Sequence, residues 1–244
     1  MPDRVVGHVE EIAATLATQR PDLVGVYLHG SAVLGGFDPA RSDVDVLAVV
    51  AGPEGESAQR RAGEAVAATA ARCPGAGLEL SVLTAATARE LGDCRFEAHV
   101  NTTGAEPVIV PGAGAGGDPD LVLHAAVCRE FGRAVLGPPP GEVFGRPPRQ
   151  RILAAMAADL RWAIDAGHAA YAVLNACRAA RFAEEGRLCS KLDGARWYLG
   201  RHPDDATVTA ALTRHLGGGR GPSVERAVAF VQGSGLTGWA TTGG

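Results

Sequence analysis

A chain of 244 residues that is 46% hydrophobic can bury a substantial core, as one large domain or two ordinary ones, and two is the expected division. Its formal net charge of −4 argues against a protein that lives on nucleic acid, since phosphate-backbone binding needs a basic face, although a local basic pocket stays open. No run of about 18 apolar residues occurs, and the start MPDRVVGHVEEIAATLATQR carries acids inside its apolar periodicity, so a soluble, cytoplasmic chain with no membrane partner is expected.

Val5, Val6, Val9, Ile12, Ala13 and Leu16 recur at helical spacing and predict an amphipathic helix over residues 5–18. Leu23-Val24-Gly25-Val26-Tyr27-Leu28 is short, apolar and β-leaning, and predicts a strand that ends at His29-Gly30-Ser31. After the turn-rich Gly35-Gly36-Phe37-Asp38-Pro39, a second strand is expected from Val44 to Val50. Residues 57–72 read as a helix, Cys73-Pro74-Gly75 breaks the chain, and Leu78-Glu79-Leu80-Ser81-Val82-Leu83 alternates cleanly as a third strand. Pro107-Val108-Ile109-Val110 is a candidate fourth.

From about Asp120 the pattern turns helical, with Leu121, Val122, Ala125, Ala126 and Phe131 on one helix that ends near Gly132 to Gly137. The segment PPPGEVFGRPP, Pro138 to Pro148, is expected to sustain neither helix nor central strand and to mark a boundary. Beyond it, 149–167, 169–186, 189–201, 205–216 and 223–233 read as helices broken by Gly, Pro or Asp, and the closing GSGLTGWATTGG is expected to fray. The expected architecture is an α/β domain on a mixed sheet with flanking helices, residues 1–145, followed by an all-α helical bundle, residues 146–244, with the site in the cleft between them.

Cys73, Cys94, Cys128, Cys177 and Cys189 are scattered, odd in number and form no C-x-x-C pair, so reduced and mostly buried thiols are expected, and no zinc site. Lys191 is the single lysine beside 22 arginines. A compact ammonium retained in so arginine-rich a chain suits a phosphate, and a plain surface lysine is the alternative.

Gly30-Ser31, then Asp43-Val44-Asp45, placed between the first two strands, is the most informative constellation. Residues i and i+2 of a strand share a face, so Asp43 and Asp45 present two carboxylates side by side while Val44 and Val46 face the core. Like charges so close call for a divalent cation, and hard Mg²⁺ takes oxygen ligands together with substrate phosphates. Gly30 permits close backbone approach to a phosphate, and Ser31 offers a hydroxyl and an N–H. Glu79 interrupts an apolar strand and supplies a third acid, unless it lies on a solvated outer face. Two metal-binding acids and one further carboxylate suit phosphoryl or nucleotidyl transfer, in which an acid removes the proton of the attacking hydroxyl.

The span His29-Gly30-Ser31…Ser42-Asp43-Val44-Asp45-Val46-Leu47 resembles the signature of the polymerase-β-like nucleotidyltransferase superfamily, and YLHGSAVLGGFDPARSDVDVLAVV resembles the aminoglycoside adenylyltransferases that modify streptomycin and spectinomycin. LELSVL is similar to that family's strand with the catalytic glutamate, and YAVLNACRAARFAEEGRLCSKLDGARW to its C-terminal helical domain. The resemblance implies ATP as co-substrate, Mg²⁺ held by Asp43 and Asp45, triphosphate contacts from Gly30, Ser31 and Ser42, Glu79 as general base, nucleotide contacts from Arg178 and Lys191, and a small antibiotic acceptor. Read from the residues alone, Arg178 equally suits a solvated helix position.

Several positions depart from the family pattern. Members that accept both antibiotics carry a tryptophan after Phe-Gly-Glu, where Phe96-Glu97-Ala98-His99 places His99. Their Trp and Asp before the nucleotide-contacting helix align with Asp159 and Ile164, and the Asp just before that helix with His168. A helix bearing Asp159, Trp162 and Asp165 offers acids to a cationic acceptor, or is simply an exposed face. The glycines from Gly112 to Gly117 lack a following Lys-Ser/Thr and read as a loop, and His8 and His124 read as packing or surface residues. Three other readings remain: a toxin–antitoxin nucleotidyltransferase, a nucleotidyltransferase acting on a different small molecule, or an inactive binding domain, which Asp43, Asp45 and Glu79 together disfavour.

Overall fold

The computed structural model describes residues 3–234, so the terminal segment expected to fray lies outside the described residues from position 235 on. The chain divides into two compact units, 1–147 and 148–244.

The first unit runs α1 (Asp3–Gln19), β1 (Leu23–Leu28), α2 (Ser31–Leu34), β2 (Val44–Val50), α3 (Glu56–Ala67), β3 (Leu78–Thr84), α4 (Ala85–Glu90), β4 (Ala98–Asn101), β5 (Val108–Pro111), α5 (Leu121–Phe131), β6 (Arg133–Leu136) and α6 (Pro140–Val143). The six strands form one mixed sheet in the order β5-β4-β3-β2-β1-β6. Only β2 and β3 pair in parallel, because a helical crossover through α3 joins them, and the other neighbours are antiparallel.

Strand periodicity sorts the side chains of this sheet onto two faces. Val26, Leu28, Val44, Val46, Ala48, Val50, Leu78, Leu80, Val82, Ala98 and Val100 line one face, where the stripe Val5, Val9, Ile12 and Leu16 of α1 and Val66 of α3 close over them. Each fully buried Val or Leu there contributes about 1.5–3 kcal/mol. The other face, carrying Asp45, Leu47, Glu79 and Ser81, is packed by α4 and α5. At the far end of β1 and β2 the buried guanidinium of Arg20 donates to Asp22, to the carbonyl of Gly52 at 2.6 Å and to Glu97 at 3.5 Å. That clip ties the end of α1 to three separate loops.

In the second unit α7 (Arg149–Asp165), α8 (Ala169–Glu185), α9 (Lys191–Leu199), α10 (Ala206–His215) and α11 (Val224–Gly233) pack with α8 at the centre. Val173, Leu174 and Cys177 of α8 are buried against Ala195, Val208, Ala211 and Ala227. Ser190, Asp205 and Ser223 each accept a backbone N–H as N-caps of the last three helices, and Gly186 ends α8 in the left-handed region at φ 69°. Four cysteines are buried, Cys73 is partly so, and all five are free thiols.

The sequence expectation differs from the structure at several places. The helix expected over 57–72 stops at Ala67, and Ala70–Arg72 is a single 3-10 turn. The short strands β4 and β6 give no alternation long enough to read, and β6 follows α5 directly because Gly132 turns extended at ψ 151°. The proline-rich boundary does hold one helical turn, α6, since Pro140 occupies its first position, where the missing N–H costs nothing.

Candidate active site

Parallel pairing of β2 with β3 sets Asp45 directly opposite Glu79. Asp43 lies one residue ahead of β2, but its neighbours are already fixed: Val44 N–H donates to Gly77 O at 2.8 Å, and Ala76 N–H to Ser42 O at 2.9 Å. Asp43, Asp45 and Glu79 are each half-buried, and one carboxylate oxygen of each lies within 4.8 Å of the others. At an effective dielectric of about 20, each ionised pair at that distance repels by roughly 3–4 kcal/mol. Three oxygen donors with no His or Cys among them form the ligand set of a hard divalent cation.

The turn after β1 lies against this cluster. His29 N–H donates to Asp45 O at 3.0 Å, and Gly30 adopts φ 62°, ψ −143°. A Cβ on Gly30 would overlap the Asp45 carboxylate. Ser31 opens the one-turn helix α2, and its hydroxyl is buried without a hydrogen-bond partner among the described residues. An orphaned hydroxyl beside three acids is the kind of group that a bound ligand satisfies. Ser42 is engaged otherwise: its Oγ accepts Asp38 N–H at 3.1 Å and braces the loop into β2.

Two histidines lie close to the acids: His29, which precedes the Gly30-Ser31 turn, and His124, which the sequence marks only as a packing or surface residue. The rings of His29 and His124 are 5.2 Å apart. Burial, and then the neighbouring His124, holds His29 well below the usual imidazole value, so it is neutral. For His124 burial acts downward, but Glu79 and Asp45, with Asp120 and Asp118, outweigh it and raise the value. Nothing local marks His124 in the sequence, because docking of α5 on the sheet is what brings it there.

On the same sheet face, Asn101 pairs with Glu79, and His99 pairs with Ser81 one row further along. Ser81 Oγ is 3.0 Å from His99 Nδ1. The glutamate of that segment, Glu97, turns away to Arg20 and to the N–H of Glu54 at 2.7 Å.

In the helical unit, Arg178 donates through Nε to Cys189 O and through Nη1 to Asn175 Oδ1, both at 2.9 Å. Lys191, first residue of α9, holds its ammonium 4.4 Å from the centroid of the Tyr171 ring. Trp162 and Asp165 are exposed, whereas Asp159 is not part of that exposed face: it is buried and bonded to Tyr171 and Asn175. A helix pattern cannot tell which polar residue its neighbour helix covers, and α8 covers this one. His168 sits exposed at the start of α8, its ring 5.3 Å from that of Trp162.

A mixed sheet that presents three converging carboxylates beside a glycine-serine turn defines a nucleotidyltransferase, and the family model of the nucleotidyltransferase domain matches residues 9–79, which carry all of these groups. The family model described as aminoglycoside adenylyltransferase, C-terminal domain, matches residues 142–228. The two matches fall largely in its two compact units in turn and make the chain similar to the aminoglycoside adenylyltransferases of the nucleotidyltransferase superfamily. In fold it is similar to spectinomycin adenyltransferase AAD(9) from Enterococcus faecialis, solved with ATP and spectinomycin, with a TM-score of 0.72, 15% identity and coverage of 99% of this chain and 100% of that one. No curated protein matches the chain in sequence. Among the described residues no helix is long and apolar enough to cross a membrane.

Proposed function

We propose that this chain transfers AMP from ATP, with Mg²⁺, to a hydroxyl of a cationic aminocyclitol or aminoglycoside antibiotic. The observation that carries this reading is the convergence of Asp43, Asp45 and Glu79 to within 4.8 Å beside the Ser31 hydroxyl, which has no partner among the described residues. Asp43 and Asp45 would hold the magnesium, which when bound neutralises charge on the reacting phosphates. Gly30 leaves room for the triphosphate against β2, and the Ser31 hydroxyl donates to one of its oxygens. Glu79 takes the proton as the acceptor oxygen attacks the α-phosphorus. The bond from that phosphorus to the bridging oxygen breaks, and pyrophosphate leaves with the electron pair.

Arg178 and Lys191 contact the phosphates in this reading, and Ser42 contributes by holding the loop before Asp43. The solved relative AAD(9) was crystallised with spectinomycin, which makes an aminocyclitol the first acceptor to test. His99, held by Ser81 on the face of Glu79, stands on the acceptor side. Incubating the protein with ATP, Mg²⁺ and a panel of such antibiotics, then reading mass, tests the proposal: one acceptor should gain one AMP. Loss of ATP with no acceptor modified across the panel would sink it.

A further inference from the structure

The helical unit holds a buried carboxylate that the proposed chemistry does not use. Asp159 of α7 divides its two oxygens between residues of α8: Tyr171 donates its hydroxyl to Oδ1 at 3.0 Å, and Asn175 donates Nδ2 to Oδ2 at 3.0 Å. Each of these neutral groups leads on to a cation. With its nitrogen engaged by Asp159, Asn175 must turn its carbonyl toward Arg178, whose Nη1 donates to it at 2.9 Å. Tyr171 carries Lys191 over its ring. Burial, and then the charge of Asp159, push the Tyr171 phenol up, so it remains a donor with an electron-rich face.

The two arms meet again through the backbone. Arg178 Nε donates to the carbonyl of Cys189, two residues before Lys191, so one guanidinium also fixes the segment that delivers the ammonium. Gly194 permits this closeness, because a Cβ there would fall 2.9 Å from the backbone nitrogen of Arg178.

This arrangement differs from that of Arg181 and Arg201 in the same unit. Arg181 pairs with Glu185, and Arg201 with Glu184 and Glu185, each in direct ion pairs. Arg178 meets two carbonyl oxygens instead. A carboxylate in direct contact would neutralise the guanidinium and compete with an anionic ligand. Set one residue back behind Asn175, Asp159 orients the guanidinium and leaves its charge available. A buried carboxylate is expensive to desolvate, and retaining one here fits a fixed orienting task.

We infer that Asp159 is a positioning residue for nucleotide binding: through Asn175 and Tyr171 it holds Arg178 and Lys191 as a preformed pair of cations for a polyphosphate. The inference rests on the reading of Arg178 and Lys191 as phosphate contacts, and the test separates the two. Calorimetry with ATP and Mg²⁺, without acceptor, is run on the wild type, Asp159→Asn, Arg178→Ala and the double variant, with melting temperatures alongside. Asp159→Asn should weaken ATP binding about tenfold, which is about 1.4 kcal/mol. Added to Arg178→Ala it should cost less than a further twofold, since the two act along one path.

If Arg178→Ala weakens ATP binding and Asp159→Asn does not, Asp159 only packs α7 on α8 and the inference fails while the reading stands. Full additivity in the double variant overturns it as well. If Arg178→Ala binds ATP like the wild type, the reading falls and takes the inference with it. Should Asp159→Asn not fold, Asn175→Ala carries the same comparison, because it cuts the Arg178 arm and leaves the Asp159–Tyr171 bond in place.

Discussion

Gly30→Ala perturbs the site by a single methyl group. The native φ 62°, ψ −143° belongs to a region that L side chains rarely enter, and forcing alanine there costs on the order of 1–3 kcal/mol. For a domain of this size that lowers the melting temperature by roughly 3–10 °C. The larger effect is local, because the new Cβ would occupy the space of the Asp45 carboxylate. Either the carboxylate rotates away from Asp43 and Glu79, or the Gly30-Ser31 turn backs off from the triphosphate. A displacement of about 1 Å in such a group costs ~10²-fold in rate. AMP transfer read by mass, beside differential scanning calorimetry, should therefore show a modest thermal loss and a drop in turnover of ~10²-fold or more. Turnover within threefold of wild type, with a melting temperature within about a degree, would refute the reasoning.

Four further outcomes follow from the same geometry. Asp43→Asn or Asp45→Asn should cut turnover by at least ~10²-fold while raising the melting temperature measured without Mg²⁺, because one member of a mutually repelling cluster is neutralised; a thermal loss instead would show that the acids stabilise the apo fold. Glu79→Gln should lower kcat by ~10²- to 10⁴-fold with ATP binding intact if Glu79 is the base, whereas weakened Mg²⁺-dependent ATP binding would make it a third metal ligand. Lys191→Ala should raise KM for ATP and leave that for the acceptor unchanged, and an unchanged KM for ATP would return Lys191 to a structural role. Among the described residues neither ring nitrogen of the buried His8 has a hydrogen-bond partner, and burial lowers its pKa against the Glu11 carboxylate 3.8 Å from Nδ1. The unfolded chain then binds more protons just below pH 6.5, so stability is full above that value and falls as pH drops toward the folded pKa. His8→Leu should stabilise the protein by about 1 kcal/mol near neutrality and flatten part of the decline below pH 6.5, the buried His29 keeping the rest; a parallel pH profile in wild type and variant would reject this account.

What could be read in the sequence was what local spacing encodes. Asp43 and Asp45 are two residues apart, and Glu79 breaks an apolar alternation, so their convergence needed only the assumption that the second and third strands pair side by side. The five C-terminal helices were legible because Gly, Pro and capping residues punctuate them at Gly186, Ser190, Asp205 and Ser223. Relations set by packing between distant elements were not legible. His124 reaches the acids only because α5 docks on the sheet, Asp159 is buried only because α8 covers it, and the Gly30 requirement arises from a side chain fifteen positions later. The strands β4 and β6 are too short for their period to show, and pairing at the sheet, more than intrinsic preference, makes them strands.

The parallel ladder between β2 and β3 also bears on how the chain reaches its working state. Asp45 and Glu79 belong to strands separated by a crossover over residues 51–77, so the acids come together only when a non-local pairing closes. A slip of one residue would turn Glu79 toward Val9, Ile12 and Leu16 and place a charge in the most apolar layer, at a cost of several kcal/mol. The correct register carries its own penalty, since it gathers three like charges, and the valine and leucine rows on the opposite face outweigh it. During refolding, recovery of transfer activity would therefore time the closing of this ladder, and helix formation, however early, would contribute no activity before it.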